Sequence, residues 1–394
     1  MKILFVIDTF DTNNNGTSIS AQRFAAELRK NGHEVRILCS DKQPSDDKYL
    51  VKEFNVPFFD GLVHKYGFQL ADISSSSREV IHEAVLWADI VHCYMPFALE
   101  IVASRYAESI GKPCTGAFHI QPENIWSAVN LGKVDWLQKF TYRSFREWHY
   151  YLFRHIHVPS QFMGDMLKER GYQAKIHVIS NGIQDDFIRA GHDNMEKGKP
   201  KKSPEYEGKI LIMMVGRLAN EKRQDVIIDA VQYSRYADKI QLIFAGKGPE
   251  YEKYRKQGEK LKNQPQFVYL DREHLIELLS QCDLYVHASD MESEAISCIE
   301  AFATGLVPII ANSTLSATPQ FALDGRSLFL PGNPKDLARA IDYWLDYPNQ
   351  RAYMERLYAK AAKSYSLSNS VRLFEDMLNE EIADFKALQE KNNK

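Results

Sequence analysis

Apolar residues run unbroken over positions 3–7, the pattern of a strand buried on both faces. A polar, glycine-containing stretch follows over 9–17. Ala21, Phe24, Ala25 and Leu28 then recur at helical spacing until Gly32. Val35 and Ile37 open a second strand, and residues 88–92 and 113–118 read as later strands of the same sheet. Strand and helix patterns alternating over short links predict a parallel sheet covered by helices. The rhythm pauses over 195–208, where four lysines stand among Gly198, Pro200, Pro204 and Gly208 without apolar periodicity, as in a solvated linker or surface loop. It restarts at 210–215, 240–245, 284–288 and 307–311, so a second α/β domain is expected. Residues 370–388 are a long helical pattern with no strand to follow, free to dock back on the first domain, and 390–394 should fray. The expected division is 1–185 joined by 365–394, against 186–364. Open α/β sheets bind ligands at the carboxyl ends of their strands, so two such domains face to face would enclose a site in a cleft.

Composition acts mainly by exclusion. At 394 residues the chain suits two domains, and a net charge of −3 lacks the basic footprint of a nucleic-acid binder. The five cysteines are scattered and form no Cys-x-x-Cys pair, which argues against a disulfide framework or a zinc site of that kind and for a reducing, cytoplasmic setting. The apolar run at the N-terminus is too short for a secretory signal, and no stretch reaches the roughly 20 residues of a membrane span.

Three motifs carry chemistry. Gly216-Arg217-Leu218 and Glu221-Lys222-Arg223 follow the first strand of the second domain. There a forked and a point cation could clamp a diphosphate, although two solvated surface charges would look the same. Gly246-Lys247-Gly248-Pro249 follows the next strand, where glycines admit close backbone approach; a simple strand-to-helix turn explains it equally well. The most specific is Glu292-Ser293-Glu294-Ala295-Ile296-Ser297-Cys298-Ile299-Glu300. A helix starting near Ser293 would aim the N–H groups around Ile296 and Ser297 at an anionic ligand, with Glu292 just before it and Glu300 about two turns in. Both carboxylates would accept from sugar or ribose hydroxyls.

In this order and spacing the motifs resemble those of the nucleotide-sugar glycosyltransferases of the GT-B fold, retaining family 4, from Asp8 to about Gly332. The resemblance implies two facing Rossmann-like, doubly wound domains with a central cleft and a C-terminal helix packed on the first. It places Gly16 and Thr17 in the loop facing donor phosphates and acceptor, Thr17 standing where the family has a second glycine. It gives His33 a structural role and makes His119, followed by Gln121-Pro122-Glu123-Asn124, the active-site histidine, with Glu123 and Asn124 as substrate contacts. Arg217 and Lys222 become the diphosphate clamp, Gly246 and Gly248 the turn near the nucleotide, Glu292 the contact to the transferred sugar and Glu300 the ribose holder. Ala295 occupies a position usually held by glycine, beside Ile296 and Ser297 in the same pocket wall. Ser180-Asn181-Gly182 resembles the segment closing the first domain.

The implied reaction is front-face transfer of a hexose, glucose from UDP-glucose in first place, to a lipid or saccharide hydroxyl. No Asp-x-Asp segment offers carboxylates to a divalent ion, so the cations would supply the charge and no metal or other cofactor is expected. Between Trp126 and Arg154, and most densely over 139–154, aromatic residues crowd with Lys139, Arg143, Arg146 and Arg154. That mixture suits contact with an anionic membrane surface and resembles the helices of enzymes that glycosylate diacylglycerol. The expected place is therefore the cytoplasm, with peripheral contact at the inner face of the cell membrane and a diacylglycerol-type acceptor ahead of a soluble or cell-surface saccharide. A silent sugar-nucleotide-binding protein is the reading from another class.

Overall fold

The computed structural model describes residues 1–12, 16–54, 70–127 and 134–392, the side chains of Asn124, Ile125 and Ser127 apart. They form two compact units, Met1–Asn181 with Leu367–Lys394, and Gly182–Ser366.

In the first unit β1 (Lys2–Val6), β2 (Glu34–Cys39), β3 (Lys48–Leu50), β4 (Ile90–Cys93), β5 (Cys114–Ala117), β6 (His155–Val158) and β7 (Lys175–Val178) make one sheet in the order β3-β2-β1-β4-β5-β6-β7. Every pairing is parallel. β1 lies centrally between β2 and β4, which is why its apolar run needs no polar face. The helix Gly16–Lys30 buries Ala21, Phe24, Ala25 and Leu28 as its spacing predicts. The chain returns to this unit through the helix Leu367–Asn392, which extends past the expected fraying point and buries Val371, Phe374, Met377 and Leu378. Full burial of such side chains contributes roughly 1.5–3 kcal/mol each before chain entropy is counted. His33 supports the same helix through Glu375 at 3.1 Å, a structural role.

The second unit repeats the plan with β8 (Ile210–Val215), β9 (Ile240–Ala245), β10 (Gln266–Val268), β11 (Leu284–His287), β12 (Pro308–Ala311) and β13 (Leu328–Phe329). The order is β10-β9-β8-β11-β12-β13, again parallel throughout. Both sheets thus have Rossmann-like connectivity, reversing direction beside their first strand, between β1 and β4 and between β8 and β11.

Residues 195–208 differ from expectation. The helix Asp185–Lys197 takes up their start, Tyr206 is buried, and Lys199 and Lys202 pair with Glu355 at 2.8 Å and Asp283 at 2.6 Å. The segment belongs to the second unit and is held by its lysines; the units divide at Asn181–Gly182, where the expected boundary was 185–186. The five cysteines are buried free thiols, and no helix among the described residues is long and apolar enough to cross a membrane.

Candidate functional site

Three loops meet at the carboxyl ends of β8, β9 and β11, the switch-point side of the second sheet. The β8 and β9 loops run against each other through Gly216 N–H to Ala245 O at 2.9 Å and Leu218 N–H to Lys247 O at 3.0 Å. A β-carbon on Gly246 would fall 2.1 Å from Gly216 O, and one on Gly248 2.2 Å from Leu218 O. The glycines therefore serve loop-to-loop packing. Beside them Leu218, Gly248, Tyr251, Phe267 and Tyr269 line a pocket of about 280 Å³, and the Lys247 ammonium lies 4.1 Å above the Tyr269 ring.

The β11 loop is tied to the β8 loop by Asp290 N–H donating to Glu221 O at 2.9 Å and by Arg223, which reaches Asp290 at 3.3 Å. This brings Lys222 Nζ to 2.5 Å from Glu292 Oε1, and His287 Nε2 to 3.0 Å from the same oxygen. Burial opposes ionisation of Glu292, but the Lys222 cation and the His287 hydrogen bond outweigh it and hold the carboxyl well below its ordinary range. Behind it Tyr285 Oη lies 3.3 Å from both His287 Nδ1 and Ser297 Oγ, extending the chain of polar contacts into the first turn of the helix Ile296–Ala303. Arg217 pairs with Glu221 at 2.6 Å and stays nearly half exposed. Of the expected donor residues the fold thus joins Lys222, Glu292 and Ser297 in one network. Arg217, Gly246 and Gly248 stand on the adjoining β8 and β9 loops.

The helix begins at Ile296 rather than near Ser293, so Glu300 lies about one turn in, not two. The cause is Ala295, whose φ of 73° is left-handed and stops the helix from extending backwards. A side chain there costs about 1–2 kcal/mol, against a smaller loss of chain entropy for glycine. Ala295→Gly is expected to raise stability by about 0.5–1 kcal/mol, read as a higher denaturant midpoint at constant slope. A lower midpoint would show that the left-handed turn carries no strain. Glu300 is buried within the helix.

In the first unit Gly16 and Thr17 open the helix Gly16–Lys30, after the loop that leaves β1. His119 follows β5 by two residues, stacked on Tyr94 with ring centres 5.8 Å apart and edge-on to His157 at 4.8 Å. Burial, reinforced by His157, pushes its pKa well down, so it is a neutral imidazole. Glu123 is 1% exposed and accepts from Tyr142 Oη at 2.8 Å. A buried carboxylate requires such partners, and here they tie the helix Pro122–Ser127 to Asp135–Trp148. The side chain of Asn124 lies outside the described residues.

Sequence reasoning missed His287, whose only signal was a polar residue closing an apolar strand. It also missed the buried carboxyls Asp8 and Glu100, both pushed up by desolvation beyond the end of β1.

The basic-aromatic segment divides by face. Trp136 and Phe140 are 69% and 60% exposed, on one stripe with Lys139 and Arg143, and Trp148 and Tyr151 are exposed nearby. Tyr142, Tyr150 and Phe153 are core. Arg146 donates to Arg170 O at 2.7 Å, and Arg154 pairs with the buried Glu381 and stacks on Phe385. These two arginines hold structure and do not belong to the exposed stripe.

Comparisons with known proteins agree with this architecture. Residues 14–187 match the family model "Glycosyltransferase Family 4" and residues 195–363 match "Glycosyl transferases group 1". An alpha-monoglucosyldiacylglycerol synthase of Streptococcus pneumoniae is 23% identical over 93% of this chain and 83% of its own. A GDP-mannose-dependent alpha-mannosyltransferase of Corynebacterium glutamicum is 25% identical over 79% of this chain and 72% of its own. The Anabaena protein HepE, solved with UDP-glucose, superposes with a TM-score of 0.72 at 16% identity, over 96% of this chain and all of its own. The two family models together span most of the sequence. The chain belongs to family 4 of the glycosyltransferases, retaining hexosyltransferases of the GT-B fold that use a nucleotide-sugar donor.

Proposed function

We propose that this enzyme transfers glucose from UDP-glucose, with retention and without a metal, to a hydroxyl of a membrane lipid of the diacylglycerol type. The observation that carries the donor side is the Lys222–Glu292–His287 network beside Arg217, at the carboxyl end of the second sheet. The apolar, aromatic pocket next to it suits a nucleobase, and the Gly216–Leu218 turn lies between the two. In the reaction the acceptor oxygen bonds to the anomeric carbon on the face from which the diphosphate leaves. The bond from that carbon to the phosphate oxygen breaks, and the acceptor's proton passes to the leaving phosphate. Charge grows on the diphosphate, and in this reading Arg217 and Lys222 are the cations that meet it. Glu292, kept ionised by its neighbours, accepts from a sugar hydroxyl. The lipid acceptor draws support from the streptococcal relative, named for a glucosylated diacylglycerol, and from the exposed stripe of Trp136, Lys139, Phe140 and Arg143. A saccharide hydroxyl is the second reading.

A screen of UDP-glucose and GDP-mannose against vesicles containing diacylglycerol or a sterol, and against soluble sugars, tests this by mass spectrometry and NMR of the product. An α-linked glucolipid is expected. Transfer to soluble sugars alone would replace the lipid reading, and binding of nucleotide sugar without transfer or hydrolysis would sink the enzymatic one. Turnover at 25 °C is expected to change less than twofold in EDTA. Complete loss on chelation, restored by Mg²⁺ or Mn²⁺, would overturn the metal-free mechanism.

A further inference from the structure

Away from the donor loops, the first unit gathers ligating side chains where its C-terminal helix crosses the sheet edge. His155 on β6 and His177 on the edge strand β7 point to the same face, because His155 pairs with Lys175 and His177 is two residues further along. His155 Nδ1 lies 2.8 Å from His177 Nε2, and His177 Nε2 lies 4.0 Å from Glu380 Oε2 on the helix Leu367–Asn392. One donor atom from each of the three lies within 4.8 Å of the others. We propose that His155, His177 and Glu380 form a binding site for a zinc-type divalent ion that fastens the C-terminal helix to β6 and β7.

The chemistry of the donor set fits. Two imidazoles and one carboxylate suit zinc better than a hard cation such as Mg²⁺. Bonds of about 2.0–2.1 Å in a tetrahedron set donors about 3.3 Å apart. The histidine pair must therefore open slightly, and Glu380, 38% exposed on a flexible stem, must swing inward. The far nitrogen of His155 completes the case. Its Nε2 lies 3.1 Å from Asp384 Oδ2, so an N–H there leaves Nδ1 with its lone pair towards His177. A carboxylate holding the outer nitrogen of a histidine is the usual support of a metal ligand, fixing both tautomer and ring orientation. His155 is buried while His177 and Glu380 reach solvent, which leaves an entry path and room for a water as fourth ligand. The surrounding charges are arranged to tolerate the ion. Arg154 neutralises Glu381, and Lys175 holds the other oxygen of Glu380 as the group the ion must compete with. Without an ion, the two histidines would share one hydrogen bond as a simple clasp, and the experiment separates these cases.

Calorimetric titration of the chelator-stripped protein with Zn²⁺ is expected to show one equivalent bound, and Mg²⁺ none. Zinc should raise the melting temperature of the wild type, since an ion bound to the folded state alone stabilises it. His177→Gln and Glu380→Gln, at partly exposed positions, should each weaken binding at least tenfold and abolish the shift in melting temperature while folding normally without metal. Asp384→Asn, which touches no ion, should weaken binding by about 10–100-fold, the effect typical of lost outer support. Failure of the wild type to take up an equivalent of zinc overturns the proposal without recourse to any variant. Binding retained within threefold in His177→Gln or Glu380→Gln overturns it as well.

Discussion

Arg217→Ala and Lys222→Ala are each expected to lower turnover by about 10²–10³-fold, the usual loss when one preorganised charge stabiliser is removed from a transition state. The two differ in what they leave behind. Arg217 is partly exposed and its guanidinium pairs with Glu221 near the surface, so its loss should leave stability almost unchanged. Lys222 sits 2.5 Å from Glu292, and its removal leaves that carboxylate with His287 as its remaining support. Breaking a buried pair typically costs about 3–5 kcal/mol, and partial exposure with a surviving hydrogen bond should reduce this to about 1–3 kcal/mol. The pH dependence follows from the same pair. Glu292 has a depressed pKa in the folded state, so its contribution is complete above the unfolded glutamate value of about 4.3 and fades as pH falls below it. Without Lys222 the folded pKa rises and that contribution shrinks, so the variant should lose less stability than the wild type on acidification. Steady-state rates and melting curves measured together decide the matter. If both variants keep more than about a tenth of wild-type turnover with normal stability, the clamp lies elsewhere.

The sequence revealed those features that repeat or cannot be replaced. The runs at 210–215 and 240–245 coincide with β8 and β9, because strands buried on both faces are mostly apolar. The glycines at 246 and 248 stood out because no other residue fits against the neighbouring loop. What stayed hidden was set by tertiary contact. β6 reads His-Ile-His-Val, and its histidines look polar until Ile179 O and the C-terminal helix supply their partners. β7, half exposed at the sheet edge, has no continuous run either. The true start of the helix at Ile296 depends on a left-handed alanine, which residue type does not announce. Nor could the pattern tell that Glu123 and Arg154 face inward. Each looks like a solvated charge until Tyr142 and Glu381 are seen beside it.

That sorting of faces changes how membrane contact should be tested. If the helix Asp135–Trp148 meets an anionic bilayer, the contact must be made by Trp136, Phe140, Lys139 and Arg143, since the opposite face turns Thr141 and Tyr142 inward to Trp126 and Glu123. The exposed pairs Lys139–Asp135 at 2.7 Å and Arg143–Glu147 at 2.8 Å are worth little in water and can be exchanged for lipid phosphate. Each aromatic buries up to about 150–250 Å², and at about 25 cal/mol per Å² even half immersion gives about 2 kcal/mol per ring. Each cation near the surface adds about 1 kcal/mol, weakened by salt. Trp136→Ser with Phe140→Ser should therefore cut vesicle binding by about 10²-fold or more at low salt, and Arg143→Glu by about tenfold with anionic lipid only. Melting temperature and turnover on a soluble acceptor should be unaffected, because these side chains support nothing beneath them. Arg154→Glu should do the reverse, facing Glu381 with a second negative charge and lowering stability before binding. Vesicle sedimentation across lipid composition and salt gives the answer. A wild type that ignores anionic vesicles at low salt, or a Trp136/Phe140 variant that binds as well as the wild type, would remove the membrane from this face and leave a soluble saccharide as the acceptor.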